Sequence, residues 1–316
     1  MKLPHRMLRN GWSAWHFAGA AAMAAFAVWM TFPAWRDIYL TAADPASRAR
    51  HILLVPIIAA WLVWVRRHRM LHCRPRGHWI GLLLIFIGGF VFSLATRAEA
   101  QASLTSVEAS PLWRMAWHAG TVAITVGGAL TLLGWSVAKR FAPAVLVLIF
   151  LVPIPRSICE HIDRPVQVAT LELTASVYNT IGMDAQIDYD LPTTTQVPRL
   201  TVNGVESPRE AYHGLPMVFD LFLVSWAFVF GSPLRGSVRL IILLLSPVSA
   251  IVCGAVGLMA TMWLYGSPNL LGSADLLHQI GSWLMLLVAF LLLTAVIRAL
   301  AWASVPVRHY TLASDP

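Results

Sequence analysis

The sequence predicts an all-α, polytopic integral membrane protein with about eight transmembrane helices and both termini in the cytoplasm. Three observations carry this. Hydrophobic residues make up 58% of the 316 residues and charged residues only 12%, where a soluble domain carries about a quarter charged residues. The apolar residues gather into blocks near the length of a bilayer crossing, roughly 20 residues as a helix. Basic residues recur in alternate connections, the pattern of cytoplasmic loops.

The blocks run over residues 12–34, 51–65, 79–95, 115–138, 141–154, 214–231, 238–264 and 281–302. The second and fifth are short, so they are tilted, extended by polar turns or partly buried in protein, which bounds the count at about seven to nine. The first block follows Lys2, Arg6 and Arg9, as a signal peptide would. It reaches Met30 without a small-residue cleavage site and more spans follow, so it reads as an uncleaved first helix.

If every block spans, the N-terminus, the 66–76 loop, Lys139-Arg140, the Arg235/Arg239 loop and the C-terminus share one side. Together they hold 14 of the 23 Lys+Arg residues. The densest cluster is Arg66, Arg67, Arg69, Arg74 and Arg76. The formal charge of +8 therefore expresses topology, and no nucleic-acid partner is expected. Residues 36–50, 97–113, 155–212 and 265–280 form the other face and carry most of the acidic residues. Cys73 is expected in the cytoplasm, Cys159 outside and Cys253 within a helix, so no intramolecular disulfide is expected.

The chain reads as a single transmembrane domain, 1–316, with one sizeable external excursion, 155–212. From Pro165 to Ile181, Val166, Ala169, Leu173, Val177 and Ile181 recur at helical spacing. Gly182 ends this helix, which is expected to lie at or dip into the membrane surface. Asp188 to Glu210 reads as an extended stretch with a hairpin at Asn203-Gly204, a favoured turn pair.

Ionisable residues at the outer boundary are the candidates for chemistry. Arg48, Arg50 and His51 open the second span. Arg156, Cys159, Glu160, His161 and Asp163 follow the fifth. Arg209 to His213 open the sixth, with Asp220 two turns deeper, and Asp275 and His278 open the eighth. Residues 212–213 and 278 come to the same depth on different helices, which is enough to build a site. Each has a plainer reading. A lone histidine at a helix start is more often an interfacial polar residue. Asp220 can simply hydrogen-bond between helices. Cys159 needs nearby positive charge to become reactive, and Glu160 opposes Arg156 and His161 there. Glu210, His213 and His278 have the side chains of zinc ligands but no HExxH or CxxC spacing, so no metal and no cofactor is expected.

An ordered set of motifs runs over most of the chain, from about Trp35 to Ala301. It opens with Arg50-His51-Ile52-Leu53-Leu54-Val55-Pro56 and Ala60-Trp61-Leu62-Val63-Trp64 before Arg66-Arg67. It continues through Phe150-Leu151-Val152-Pro153-Ile154-Pro155, Arg164-Pro165-Val166-Gln167, Arg209-Glu210-Ala211-Tyr212-His213-Gly214-Leu215 and Ser232-Pro233-Leu234-Arg235. It closes with Pro247 and His278-Gln279-Ile280-Gly281-Ser282-Trp283. The pattern resembles the exosortase/archaeosortase family of membrane transpeptidases. The resemblance implies a Cys, Arg, His triad acting on the C-terminal sorting-signal tail of exported proteins, at the outer, periplasmic face of the bacterial cytoplasmic (inner) membrane. In such chemistry a thiolate attacks a carbonyl, the histidine moves the proton and the arginine stabilises the oxyanion.

Two positions depart from the family's triad. Tyr212 stands where the resemblance expects the cysteine, and Val256, counted from Pro247, stands where it expects the arginine; His278 matches. A tyrosine hydroxyl, pKa near 10, is a poor acyl nucleophile. Losing one oxyanion donor costs about 10²–10³ in rate. The preferred reading is therefore an exosortase-like protein, catalytically degenerate, that binds a partner's tail or assists a sorting or polysaccharide-export system. In it His278, Tyr212 and His213 are positional equivalents of catalytic residues, and Glu210, Asp220 and His51 contact the substrate. A second reading keeps an active transpeptidase or endopeptidase with a substituted site, using Tyr212, His213 and His278, or a thiol from Cys159 or from Cys253, three residues before Val256. A third, a small transporter, rests on Asp220 alone.

Overall fold

The computed structural model describes residues 11–44, 47, 49–105, 110–189, 198–207, 214–232, 234, 236–265, 291 and 295. The chain divides into two compact units, Met1–Ser157 and Ile158–Pro316. Among the described residues, four helices are long and apolar enough to cross a membrane, or five if one bent pair is counted as a span. The architecture is the all-α membrane fold that composition predicts. The eighth block, 281–302, lies almost wholly outside the described residues.

The first unit opens with α1 (Ala14–Met30) and α2 (Phe32–Ala43), which meet at an 82° bend. The break has a local cause. Pro33 has no N–H and its ring collides with the carbonyl four residues back, so α1 cannot run on. Both the N–H and the hydroxyl of Thr31 donate to the Ala27 carbonyl, at 3.1 and 2.7 Å, and close α1 there. Most of α2 lies in a stretch expected to be an external connection. It is helical because Ala34, Ile38 and Ala42, spaced four apart, give it one buried face.

A 3₁₀ turn, Arg50–Leu53, leads into α3 (Leu54–Val65), and a second, Arg67–His72, follows it. The pair α4 (Trp79–Thr105) and α5 (Pro111–Leu133) forms an antiparallel hairpin. Its seam is made by glycines seven apart on each helix, Gly81 and Gly88 facing Gly127 and Gly120. A Cβ on Gly120 would lie 2.7 Å from the Gly88 carbonyl oxygen, and one on Gly127 would lie 2.9 Å from that of Gly81. Small residues allow this approach, and without a hydrophobic drive in lipid, close van der Waals packing is what joins helices. The opposite face of α4, with Phe86 and Phe90 exposed, suits contact with acyl chains. Next come α6 (Trp135–Arg140), α7 (Ala142–Leu146) and a 3₁₀ turn, Val147–Leu151. The helical segments of the two short blocks, Arg50–Val65 and Ala142–Leu151, fall below spanning length, as their sequences suggest; α3 packs against α7 and the turn after it.

Loops expected on the cytoplasmic side are knitted together at one end of this unit. The Trp12 indole N–H donates to the Cys73 carbonyl at 2.8 Å, and the Ser136 hydroxyl donates to the Arg74 carbonyl at 2.6 Å. Trp12, Cys73, Val137 and Phe141 form a small apolar core beneath. Gly134, at φ +79°, lets the Arg76 carbonyl approach where any Cβ would collide with it. Further along, the buried His118 of α5 meets Asp37 of α2, Nε2 to Oδ2 at 2.9 Å.

The second unit holds α8 (Arg156–Thr180, beginning at the unit boundary), a three-stranded antiparallel sheet and two long helices. Gly182, at φ +89°, ends α8 as expected, with the Met183 N–H donating to the Tyr178 carbonyl at 3.0 Å. The strands are β1 (Ala185–Asp188), β2 (Arg199–Val202) and β3 (Val205–Glu206), in the order β1-β2-β3. The expected hairpin is present, Asn203 and Gly204 both lying at positive φ as a two-residue turn of the primed type requires. The spanning helices are α9 (Gly214–Gly231) and α10 (Gly236–Tyr265).

The buried face of α8 differs from the expected one. The apolar stripe chosen from the sequence includes Leu173 and Ile181, both exposed, whereas Asp163, Gln167, Thr170, Leu171, Thr174, Ala175 and Tyr178 are buried. These recur at helical spacing too, but four of the seven are polar and Tyr178 carries a hydroxyl. They tolerate burial because each hydroxyl is satisfied. Thr170 donates to the Val166 carbonyl at 2.8 Å, Thr174 to that of Thr170 at 2.7 Å, and Tyr178 to that of Met259 at 2.8 Å. Burial pushes the Tyr178 hydroxyl above its usual pKa, which keeps it a donor. The inner side of the sheet joins this face through Ala185, Leu200 and Val202, with Leu258 and Met262 of α10 completing the core.

Candidate functional site

The described residues outline a site at the start of α9, inside the second unit. The first α9 residue, Gly214, directly follows Tyr212 and His213. What holds this helix start is a carboxyl from another helix. Asp163 of α8 is 3% exposed, and its Oδ1 accepts the Leu215 N–H at 2.7 Å. Its Oδ2 accepts the Gln167 side-chain N–H at 2.9 Å, one turn along α8. A helix start carries unpaired N–H groups and a positive dipole end, so a buried carboxyl there satisfies both. Gly214 makes room for it, since a Cβ at that position would run into Asp163 Oδ1.

The third side of the site is α10, which runs antiparallel to α9. The Ser225 and Ser246 hydroxyls meet between the two helices at 3.4 Å. Counting back ten residues from Ser225 and forward ten from Ser246 brings Leu215 level with Val256. Thus the position where the resemblance expects an arginine lies at the depth where α9 begins. It bears an isopropyl group, 37% exposed. Gly254 meets α8, a Cβ there falling 3.3 Å from the Thr170 methyl.

Cys253 is placed differently from Val256 despite the short spacing. It is fully buried against α9, in a cluster with Leu221 and Ala250 that Met217 and Val218 complete. Asp220 lies on α9 and is partly buried. His51 is buried in the 3₁₀ turn of the first unit. Glu210, Tyr212, His213 and His278 lie outside the described residues. Among the described residues, no three His, Cys, Asp or Glu side chains group so as to hold a metal ion.

The sequence named Gln167 and Gly214 only as members of the motifs that carry the resemblance, with no role, and Asp163 only as one of several polar residues in its stretch. A carboxyl two residues before Pro165 was the available signal. Its partner lies 52 positions away, a distance no local pattern spans.

All three cysteines are buried. For Cys73, burial raises the thiol pKa, and Arg140 and Arg69 oppose this more weakly. A maleimide reagent is therefore expected to modify the native protein in detergent at least about tenfold more slowly than the SDS-unfolded chain. Raising the pH should speed Cys73 modification only beyond the range where a free thiol already reacts, because its folded pKa is raised. Peptide mapping of the alkylated sites checks this, and rapid native labelling of Cys253 would restore a thiol to the site.

A family model described as transmembrane exosortase (Exosortase_EpsH) matches residues 35–295. No curated protein and no solved structure matches the chain.

Proposed function

The chain belongs to the transmembrane exosortase family, and from that premise we propose that it binds the C-terminal tails of exported proteins at the outer face of a bacterial cytoplasmic membrane without cleaving them. The observation that carries this reading is the level of Val256 against Leu215. The arginine-equivalent position lies level with the start of α9, and an isopropyl group there offers no hydrogen bond to an oxyanion. Tyr212, the cysteine-equivalent, is two residues before that start in sequence. The nearest thiol on α10, Cys253, is enclosed by apolar side chains and is not presented to a substrate carbonyl.

What remains of the family's site suits recognition. Asp163 holds the first turn of α9 through the Leu215 N–H. His278 and His213 supply neutral or cationic hydrogen-bonding groups for a peptide carbonyl or carboxylate. The reading also accounts for a retained framework around an altered centre.

The test uses the full chain in liposomes and a peptide carrying the C-terminal sorting-signal tail of an exported protein. The expected result is saturable tail binding, weakened about tenfold or more by His278→Ala, with the peptide intact by mass spectrometry after long incubation. Cleavage by the wild type that Tyr212→Ala abolishes would instead establish the substituted-site enzyme. A substrate-independent ion current would favour transport.

A further inference from the structure

The end of the first unit where the basic loops meet is a built surface as well as a topological marker. Residues 66–78 and 134–141 contain no acidic residue. Of their Lys and Arg residues, Arg67, Arg74, Arg76, Lys139 and Arg140 are exposed, Arg69 is half-buried and Arg66 is buried. The two segments are fixed to one another. Ser136 bonds the Arg74 carbonyl, Gly134 seats the Arg76 carbonyl, and both Arg69 and Arg140 act electrostatically on Cys73. The small core of Trp12, Cys73, Val137 and Phe141 lies under them. The positive groups are thus held together by the fold.

A second set of residues gives this surface its depth. Trp15, Trp64, Trp79 and Trp135 stand at the helix ends of the same region, and the least exposed of them, Trp135, is 50% exposed. Exposed indoles at the ends of apolar helices mark the headgroup level of a bilayer. Arg67 lies over the Trp64 ring at 4.4 Å, so a cation is held directly at that level.

We propose that this surface binds acidic phospholipid, with the guanidinium groups holding the phosphodiester and the tryptophans lying among the headgroups. Guanidinium groups match phosphate oxygens in a two-point geometry. A zwitterionic headgroup carries its own ammonium, which offsets the phosphate. A net-negative headgroup does not, so the clustered cations discriminate between the two. The tryptophan collar commits the surface to a lipid, because it fixes the cations at the membrane boundary rather than on a face projecting into solvent. The proposal is independent of the function proposed above.

The test is native mass spectrometry of the full chain in neutral detergent, mixed with equal phosphatidylglycerol and phosphatidylcholine. Inorganic phosphate and a single-stranded RNA oligonucleotide serve as competitors. The expected result is phosphatidylglycerol retained about tenfold over phosphatidylcholine, unaffected by either competitor at physiological ionic strength. Arg74→Gln/Arg76→Gln/Arg140→Gln should bring the ratio near one, since these side chains are exposed, the contacts of Arg74 and Arg76 run through their backbone carbonyls, and the Arg140 side chain acts on Cys73 only electrostatically. Arg199→Gln, in the sheet of the second unit, should leave the ratio unchanged. If the triple variant does not fold, Arg67→Gln/Lys139→Gln provides the same comparison. Equal retention of both lipids, displacement by phosphate or RNA, or wild-type selectivity in the folded variants would each overturn the proposal.

Discussion

Replacing Asp163 by alanine is expected to cost on the order of 2–3 kcal/mol and to loosen the first turn of α9. An ordinary capping side chain contributes about 1 kcal/mol, because water replaces it when it is lost. Asp163 is 3% exposed, so water does not simply take its place. The substitution leaves the Leu215 N–H and the Gln167 side chain without their common acceptor, and leaving buried donors unpaired is the costly case. Asp163→Asn retains one acceptor oxygen and should fall between the two. Thermal unfolding in detergent reads the loss, and hydrogen exchange at Leu215 localises it. If the site works as proposed, the same variant weakens tail binding more than its loss of stability explains. An unchanged exchange rate at Leu215 would remove Asp163 from its role. Gly214→Ala approaches the same contact from the other side, since the added methyl meets the carboxyl.

The second large effect falls on the glycine seam. Gly120→Leu is expected to cost at least about 3 kcal/mol and to separate α4 from α5, because the new side chain starts 2.7 Å from a backbone carbonyl that cannot move alone. The adjacent residues Gly88 and Gly89 provide an internal control. A Cβ on Gly88 meets the Gly120 carbonyl at 2.9 Å, while one on Gly89 meets nothing within 4 Å. Gly88→Ala should therefore destabilise, and Gly89→Ala should be neutral or stabilising by up to about 1 kcal/mol through helix propensity. Thermal midpoints of the variants in one detergent decide between this seam and a generic intolerance of α4 to substitution.

Much of the framework was legible in the residues. Apolar blocks are long-range in effect but local in signal, so their helices can be read from composition. Gly182 and Asn203-Gly204 were readable because a positive φ is a property of two or three adjacent residues. The clustering of Trp12, the 66–78 loop and residues 134–141 follows the charge pattern, and the first unit brings them to one end. The α1–α2 bend was readable in principle from Phe32-Pro33, but continuous hydropathy hid it.

Other features required three-dimensional neighbours. On α8 two stripes compete, one apolar and one mostly polar, and both have helical period. Hydropathy prefers the first, yet the second is buried, because Met259 accepts from Tyr178, Leu215 donates to Asp163, and the threonines bond to their own helix. Likewise Cys253 and Val256 are three apart, and only packing against α9 shows that one is enclosed while the other is exposed.

By itself, then, the sequence determined that this is an α-helical membrane protein of the exosortase pattern; that tyrosine and valine stand where the family's cysteine and arginine would is what the resemblance implies. Those are properties of residue type and order. The tertiary structure decided which face of α8 is inside, which carboxyl seats α9, and that Val256 lies level with the start of that helix. The reason is physical: whether a polar side chain can be buried depends on the partner it meets, and that partner is remote in sequence.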